Sequence, residues 1–344
     1  VKLDIPEAEK KIITLKPSES VVQLTRQIAA RADRVYQGIV DPHEDNMLKI
    51  TSDGKKLALD PRCLDLFAAD EAGNKLNACA AEMYEYWKQT EEFQGTQLVF
   101  CDLATPKQTF ESYECGKNFD AYNELKCKLV EKGIPQEQIA YIHEAKNDNE
   151  KLNLFNKVNA GKIRILLGST ECGAGTNVQK RLKAIHHLDA PYRPRDLIQR
   201  NGRGVRQGNM NKSVAICTYV MERTFDSYSY QILENKQRFI SQIEHGEVTQ
   251  REGEDIDEAT LSYAELKAIT SANPKIKRKM EVDLEVSKLQ TLEREYKKTL
   301  YSLQDRIRRD YPDEIDRQEL YLSHIREDIK RIKANYIPET FLIN

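Results

Sequence analysis

The sequence predicts an α/β fold, a mostly parallel sheet with helices on both faces. Three features point that way. Short runs rich in β-branched and aliphatic residues recur through the middle of the chain, stretches with helical apolar spacing separate them, and glycine or proline marks the joints.

The strand runs are 97–103, 138–143, 163–168, 184–188 and 213–220. Nearly continuous apolar runs of this length suit strands buried on both faces. Between the first two, Phe119, Tyr122, Leu125 and Leu129 repeat at three- and four-residue spacing, and Gly133 is a stop signal. Between the second and third, Leu152, Phe155 and Val158 follow candidate caps at Asn147 and Asp148 and end at Gly161. Ahead of this core, 20–37 reads as a helix, while 47–50 and 56–59 flank Ser52-Asp53-Gly54, which reads as a hairpin turn. Beyond Gly253 the pattern changes to long helices. Met280, Leu284, Leu289, Leu292, Tyr296, Leu300, Leu303 and Ile307 form an approximate heptad stripe, and Tyr311-Pro312 interrupts it. A second stripe, Ile315, Leu322, Ile325, Ile329 and Ile332, is expected to fold back as the other half of an antiparallel helical hairpin. Three regions follow: a connector with helix and hairpin at 1–90, the α/β lobe at 91–250, and a helical, coiled-coil-like tail at 251–344.

Composition narrows the class. Apolar residues are 40% and charged residues 31% of the 344, the balance of a globular chain with long solvated helices. No run approaches the roughly 18 apolar residues of a spanning helix, so no membrane partner is expected. The opening residues, Val1 to Glu7, lack an initiator Met and a signal-peptide core, and read as a boundary inside a longer protein. Seven scattered cysteines, none at metal-ligand spacing, lead us to expect a reduced, cytoplasmic protein without a structural metal. The net charge is -2, yet the stretch 160–215 holds eleven Lys or Arg against Glu171, Asp189 and Asp196. That local excess suits a phosphate-facing surface.

Two segments carry chemistry. Gln199-Arg200-Asn201-Gly202-Arg203-Gly204-Val205-Arg206-Gln207-Gly208 follows an apolar strand and a short helix beginning near Asp196. Arg203 and Arg206, three apart, could share one helical face and aim two guanidiniums at one anion. By composition alone the cluster reads equally well as a solvated face. Gly168-Ser169-Thr170-Glu171-Cys172-Gly173-Ala174-Gly175-Thr176-Asn177 follows the strand 163–168. Small residues and hydroxyls at a strand's carboxyl end let backbone amides approach phosphate, although such glycines also serve ordinary turns. The two segments together, with a strand between them, are more specific than either.

These residues resemble a known family. Leu98-Val99-Phe100-Cys101-Asp102 resembles motif IV, 169–177 resembles motif V, and 199–208 resembles motif VI of superfamily-two helicases. Asp189-Ala190-Pro191-Tyr192-Arg193-Pro194 is similar to the block before motif VI in Swi/Snf-type motors. Ser52-Asp53-Gly54-Lys55-Lys56-Leu57 is similar to the segment leading into their second lobe. The resemblance covers roughly residues 1–250. The whole is similar to large helicase-like proteins of phages and conjugative elements, often fused to an adenine methyltransferase. It implies a RecA-like second lobe completing an ATP site whose magnesium and phosphate-loop groups belong to a first lobe, with DNA as track and RNA left open. By that resemblance Arg203 and Arg206, with Gln199, are the catalytic positions. Gly173, Gly175, Asn177 and Arg200 lie beside the nucleotide, and Ser169, Thr170, Thr176, Arg181 and Lys183 meet the nucleic-acid backbone. The motif VI residues Gly202-Arg203-Gly204-Val205-Arg206 lack the Asp and His of Swi/Snf enzymes and are nearer the general helicase pattern. No Gly-x-x-x-x-Gly-Lys-Ser/Thr loop occurs in the sequence, so the chain alone is expected to be inactive as an ATPase.

Two rivals stand beside this reading. Asp189-Ala190-Pro191-Tyr192 resembles the Asp-Pro-Pro-Tyr signature of adenine methyltransferases, although no glycine-rich cofactor motif accompanies it. A non-catalytic scaffold derived from a motor lobe is the other. His186 and His187 lie in a strand run without matching ligands and read as packed histidines, and Trp87 and Phe100 read as core.

Overall fold

A computed structural model describes residues 5–106, 109–114, 119–170, 177–244, 293, 296–297 and 299–334. The chain divides into two compact units, Val1–Pro274 and Lys275–Asn344.

In the first unit six strands form one sheet: β1 (Glu7–Leu15), β2 (Thr96–Phe100), β3 (Ile139–Tyr141), β4 (Ile165–Gly168), β5 (Leu182–His187) and β6 (Ser213–Met221). Every neighbouring pair is parallel, in the order β1-β6-β5-β2-β4-β3. Alternate residues of a strand face opposite sides, and the two sides are filled by different helices. Val99, Leu167 and Cys217 pack with Leu76 and Met83 of α3 (Lys75–Gln89) and with Leu125 of α4 (Ala121–Glu131). Leu98, Leu166 and Val214 pack with Val158 of α5 (Asp148–Asn159) on the other side. The α/β expectation, with helices on both faces, is therefore met, and the five strand runs become β2 to β6.

The stretch before β2 differs from expectation twice. β1 extends the sheet where the sequence shows only a connector. It is an edge strand paired on one side to β6 and largely exposed, with Ile12 at 72%. A solvated, Lys-bearing edge carries little apolar signal, which is how sheets protect such edges. The hairpin at Ser52-Asp53-Gly54 is absent: α2 (Met47–Leu59) runs through it as a single helix. Asn46 caps that helix by accepting from the Lys49 amide at 2.9 Å, and Ile50, Gly54, Leu57 and Ala58 fall on its buried face. Gly54 serves packing rather than a turn, because a Cβ there would meet the Phe225 ring at 2.4 Å. Helix α1 (Glu19–Tyr36) packs on α2, and Phe225 begins a helix that reaches Glu244; Val21, Ile28, Ile50, Leu57 and Phe225 form their shared core.

Cys127 is disulfide-bonded, contrary to the expectation of wholly reduced cysteines. Seven thiols without regular spacing do not announce a pair, because pairing depends on proximity in space.

In the second unit residues 299–305 are helical and pass through one π-helical stretch, Arg306–Asp310, into a helix at Tyr311–Ala334. Tyr311-Pro312 therefore does not make the expected turn. A proline inside a helix removes one backbone donor and crowds the preceding turn, and the π-helical stretch just before Pro312 is where the ladder departs from the α pattern. Met280, Leu284, Leu289 and Leu292, the other arm of the expected hairpin, lie outside the described residues.

Candidate functional site

The carboxyl ends of β2, β4 and β5 point toward one edge of the sheet, and each is followed by a polar residue: Asp102, Thr170 and Asp189. One arginine joins them. Arg200 lies on α6, the short helix Pro194–Asn201, and is only 1% exposed. Its Nη2 donates to Asp102 Oδ2 at 2.7 Å and to Asp189 Oδ1 at 3.1 Å, its Nη1 to the Asp189 carbonyl at 3.0 Å, and its Nε to Thr170 Oγ1 at 2.8 Å. Thr170 in turn donates to Asp102 through its amide at 2.6 Å and its hydroxyl at 2.8 Å. Asp189 Oδ2 accepts from the amides of Asp102 and Leu103 at 2.5 and 2.8 Å. Burial opposes the charge on Arg200, but Asp189 and Asp102 outweigh it and hold its pKa above the ordinary value. A buried cation is tolerable only when paired and hydrogen-bonded in this way.

The helix ends beyond Arg200 at Asn201, whose Oδ1 lies 2.8 Å from His187 Nε2 on β5. The turn that follows carries Arg203 and Arg206. Gly204 lets it lie flat on the sheet, since a Cβ there would come within 2.9 Å of Val214 and 3.0 Å of Ile185. Arg206 is exposed and donates from Nη1 to Asn177 Oδ1 at 3.0 Å, so the end of the glycine-rich segment and the arginine turn are brought together. Partial burial, and then the nearby Arg206, push the Arg203 pKa down. Two guanidiniums that repel each other on a partly open face form a place where an anion lowers the energy of both.

Residues 89–208 match the helicase conserved C-terminal domain. The match takes in β2 to β5, α6 and the arginine turn, about a third of the chain. A stretch of 98 residues is 32% identical to Defense against restriction protein B of Escherichia phage P1, spanning 28% of this chain and 4% of that protein. A structural comparison pairs the chain with the C-terminal part of the Fun30 ATPase domain, at a TM-score of 0.49 and 14% identity over 80% of this chain and 99% of that one.

The fold treats the expected site residues unequally. Arg206 meets Asn177, Arg203 lies within reach of the Arg206 charge, and Gln199 is half-buried on α6 just before them. Arg200, expected beside the nucleotide, is instead a buried internal tie with four hydrogen bonds to Asp102, Asp189 and Thr170. Thr170 belongs to that same tie, and Ser169 is half-buried beside it. Arg181 and Lys183, expected on the nucleic-acid backbone, stand at the opposite, amino-terminal edge of the sheet and bond to the protein itself. Arg181 donates to the carbonyls of Asn159 and Phe93, and Lys183 to the Ser213 carbonyl and hydroxyl at 3.2 and 3.1 Å. Sequence cannot separate a basic residue that caps carbonyls from one that faces phosphate. Gly173, Gly175 and Thr176 lie outside the described residues. The methyltransferase rival is disfavoured at Asp189, which is 2% exposed and already committed to Arg200 and to two backbone amides.

Some contributors carried no sequence signal. A cavity of about 150 Å³ beside the arginine tie is lined by Lys55, Asp102, Asp189, Tyr192 and Asp226. Asp226 is paired there with Lys75, which also donates to the Leu188 carbonyl at 2.9 Å. Both sit far from any motif-like spacing. Among the described residues no cluster of His, Cys, Asp or Glu is placed to hold a metal ion, and no helix is long and apolar enough to cross a membrane.

The strand histidines are packed. His186 sits between Tyr219 and Gln97, each 2.9 Å from a ring nitrogen, and both His186 and His187 are pushed down to about 3 by burial, and then by neighbouring cationic groups. Because the folded pKa lies below the unfolded one, the folded state resists protons that the unfolded chain takes up, and stability is lost as pH falls from about 6.5 toward 3. The expected slope is about 1.4 kcal/mol per pH unit for each histidine. Urea unfolding between pH 6.5 and 5 should show a shallower slope for His187→Gln than for the unaltered chain; equal slopes would remove His187 from the acid response.

Proposed function

We propose that the chain is the second motor lobe of an ATP-dependent DNA helicase or translocase of the Swi/Snf-like kind. The carrying observation is that Arg206 is held by Asn177 on an exposed turn with the Arg203 charge close by, inside the segment that matches the helicase conserved C-terminal domain. In this reading the two guanidiniums reach across to the γ-phosphate of an ATP held by a first lobe and stabilise charge that develops as the phosphoryl group transfers. Gln199 lines the same approach, Ser169 faces the nucleic-acid backbone near the carboxyl edge, and the buried Arg200 keeps the turn at a fixed height above the sheet. Phosphate-loop and magnesium-binding groups come from the first lobe. The chain's own Asp-Glu-x-Asp run, Asp313 to Asp316, lies in an exposed tail helix rather than at a strand end.

The reading predicts that the purified chain hydrolyses no ATP above background, with or without DNA, because arginines alone cannot bind and orient magnesium-ATP. Joining it to a lobe carrying a phosphate loop should create DNA-stimulated turnover. Robust hydrolysis by the chain alone, or none in the joined protein, contradicts the proposal.

A further inference from the structure

Arginine at a protein surface has several rotatable bonds, and Arg206 is exposed. Something must select one orientation if its guanidinium is to act on a developing charge. Asn177 Oδ1 accepts from Arg206 Nη1 at 3.0 Å. A carboxamide is well suited to this: it holds one N–H of the guanidinium without cancelling its charge, whereas a carboxylate in the same place would form an ion pair.

Asn177 is itself fixed from outside the arginine turn. Asn159, at the end of α5, donates from Nδ2 to the Asn177 carbonyl at 2.7 Å and accepts at Oδ1 from the Lys180 amide at 3.3 Å. Its own carbonyl takes Arg181 Nε at 3.2 Å, and Arg181 also reaches the Phe93 carbonyl. The segment 177–181 is thus clamped at both ends to the end of α5.

We propose that Asn177 is a positioning residue for Arg206, held in place by Asn159, so that the neutral acceptor orients the guanidinium and leaves its charge available to the anion it shares with Arg203. This rests on the reading of Arg206 as an arginine finger.

The test is steady-state ATP hydrolysis by the two-lobed protein containing this chain. Asn177→Ala should lower kcat about 10-fold and leave KM for ATP within about 2-fold, because only a transition-state interaction is loosened. Asn177→Asp should be worse, with kcat lowered about 100-fold, as the carboxylate pairs with Arg206 and holds it back. Asn159→Ala should resemble a mild Asn177→Ala. A residue that only shaped its turn would give the reverse order, since aspartate copies the shape of asparagine better than alanine does. An Asn177→Asp enzyme as active as Asn177→Ala, or a raised KM with kcat intact, overturns the positioning role. Arg206→Ala is the separate control: wild-type kcat there removes the finger reading itself, whatever Asn177 does.

Discussion

Replacing Arg203 or Arg206 with Ala in the two-lobed protein is expected to lower ATP turnover by roughly 10²–10⁵-fold, the range associated with arginine fingers. The two side chains follow a helix end pinned by His187 and Asn201, on a turn that Gly204 seats against β5 and β6. That support fixes the backbone from which both arginines project, the Asn177 bond holds the Arg206 guanidinium, and on the proposed reading a preorganised donor needs no rearrangement when charge develops. Arg206→Lys should rescue poorly, because it keeps the charge and loses the planar fork. Lys162 is the control: it is exposed, in the same basic stretch, and makes no contact with the arginine turn in the described network. Lys162→Ala should leave kcat unchanged. If both arginine variants hydrolyse ATP normally while Lys162→Ala does not, generic electrostatics replace the motor mechanism.

Replacing Arg200 has a different expected result, the loss of the lobe's stability. Arg200→Met keeps the bulk but takes from Asp189 and Asp102 the guanidinium that pairs with both, and that sits 5.3 Å from the centre of the Phe100 ring. Breaking a buried pair by removing one partner costs about 3–5 kcal/mol, most of it the uncompensated charge left behind. Urea unfolding at pH 7 measures this directly. The double variant Arg200→Met with Asp189→Asn should recover part of the loss, since it removes one stranded carboxylate. A penalty below about 1 kcal/mol for Arg200→Met would mean that the tie among β2, β4, β5 and α6 is not what holds this edge together.

The contrast between these arginines shows where sequence stops being informative. Arg200, Arg203 and Arg206 share one short basic segment, and nothing in their spacing says which is buried. That is decided by Asp102, 98 positions before Arg200, and by Thr170 and Asp189, which reach the same point only because β2, β4 and β5 lie parallel with their carboxyl ends together. Arg181 and Lys183 make the same point from the other edge, where basic side chains cap carbonyls of the fold. At Asn177 the position was legible as part of a glycine-rich turn, but its acceptor role toward Arg206 and its anchoring by Asn159 arise from chain crossings 29 and 18 residues apart.

By itself the sequence determined the α/β class, the five strands β2 to β6 and the helices α1, α4 and α5, because strands buried on both faces and helices buried on one leave periodic apolar patterns that survive without context. It also determined that a glycine-rich strand end and an arginine turn sit on successive strands. Tertiary structure alone decided that Glu7–Leu15 is an edge strand, that Ser52-Asp53-Gly54 is helical, and that Arg200 is buried while Arg206 is open. The physical reason is common to all three. An edge strand, a glycine pressed against Phe225 and a guanidinium between two carboxylates are each stabilised by partners distant in the chain, and local propensity carries no record of them.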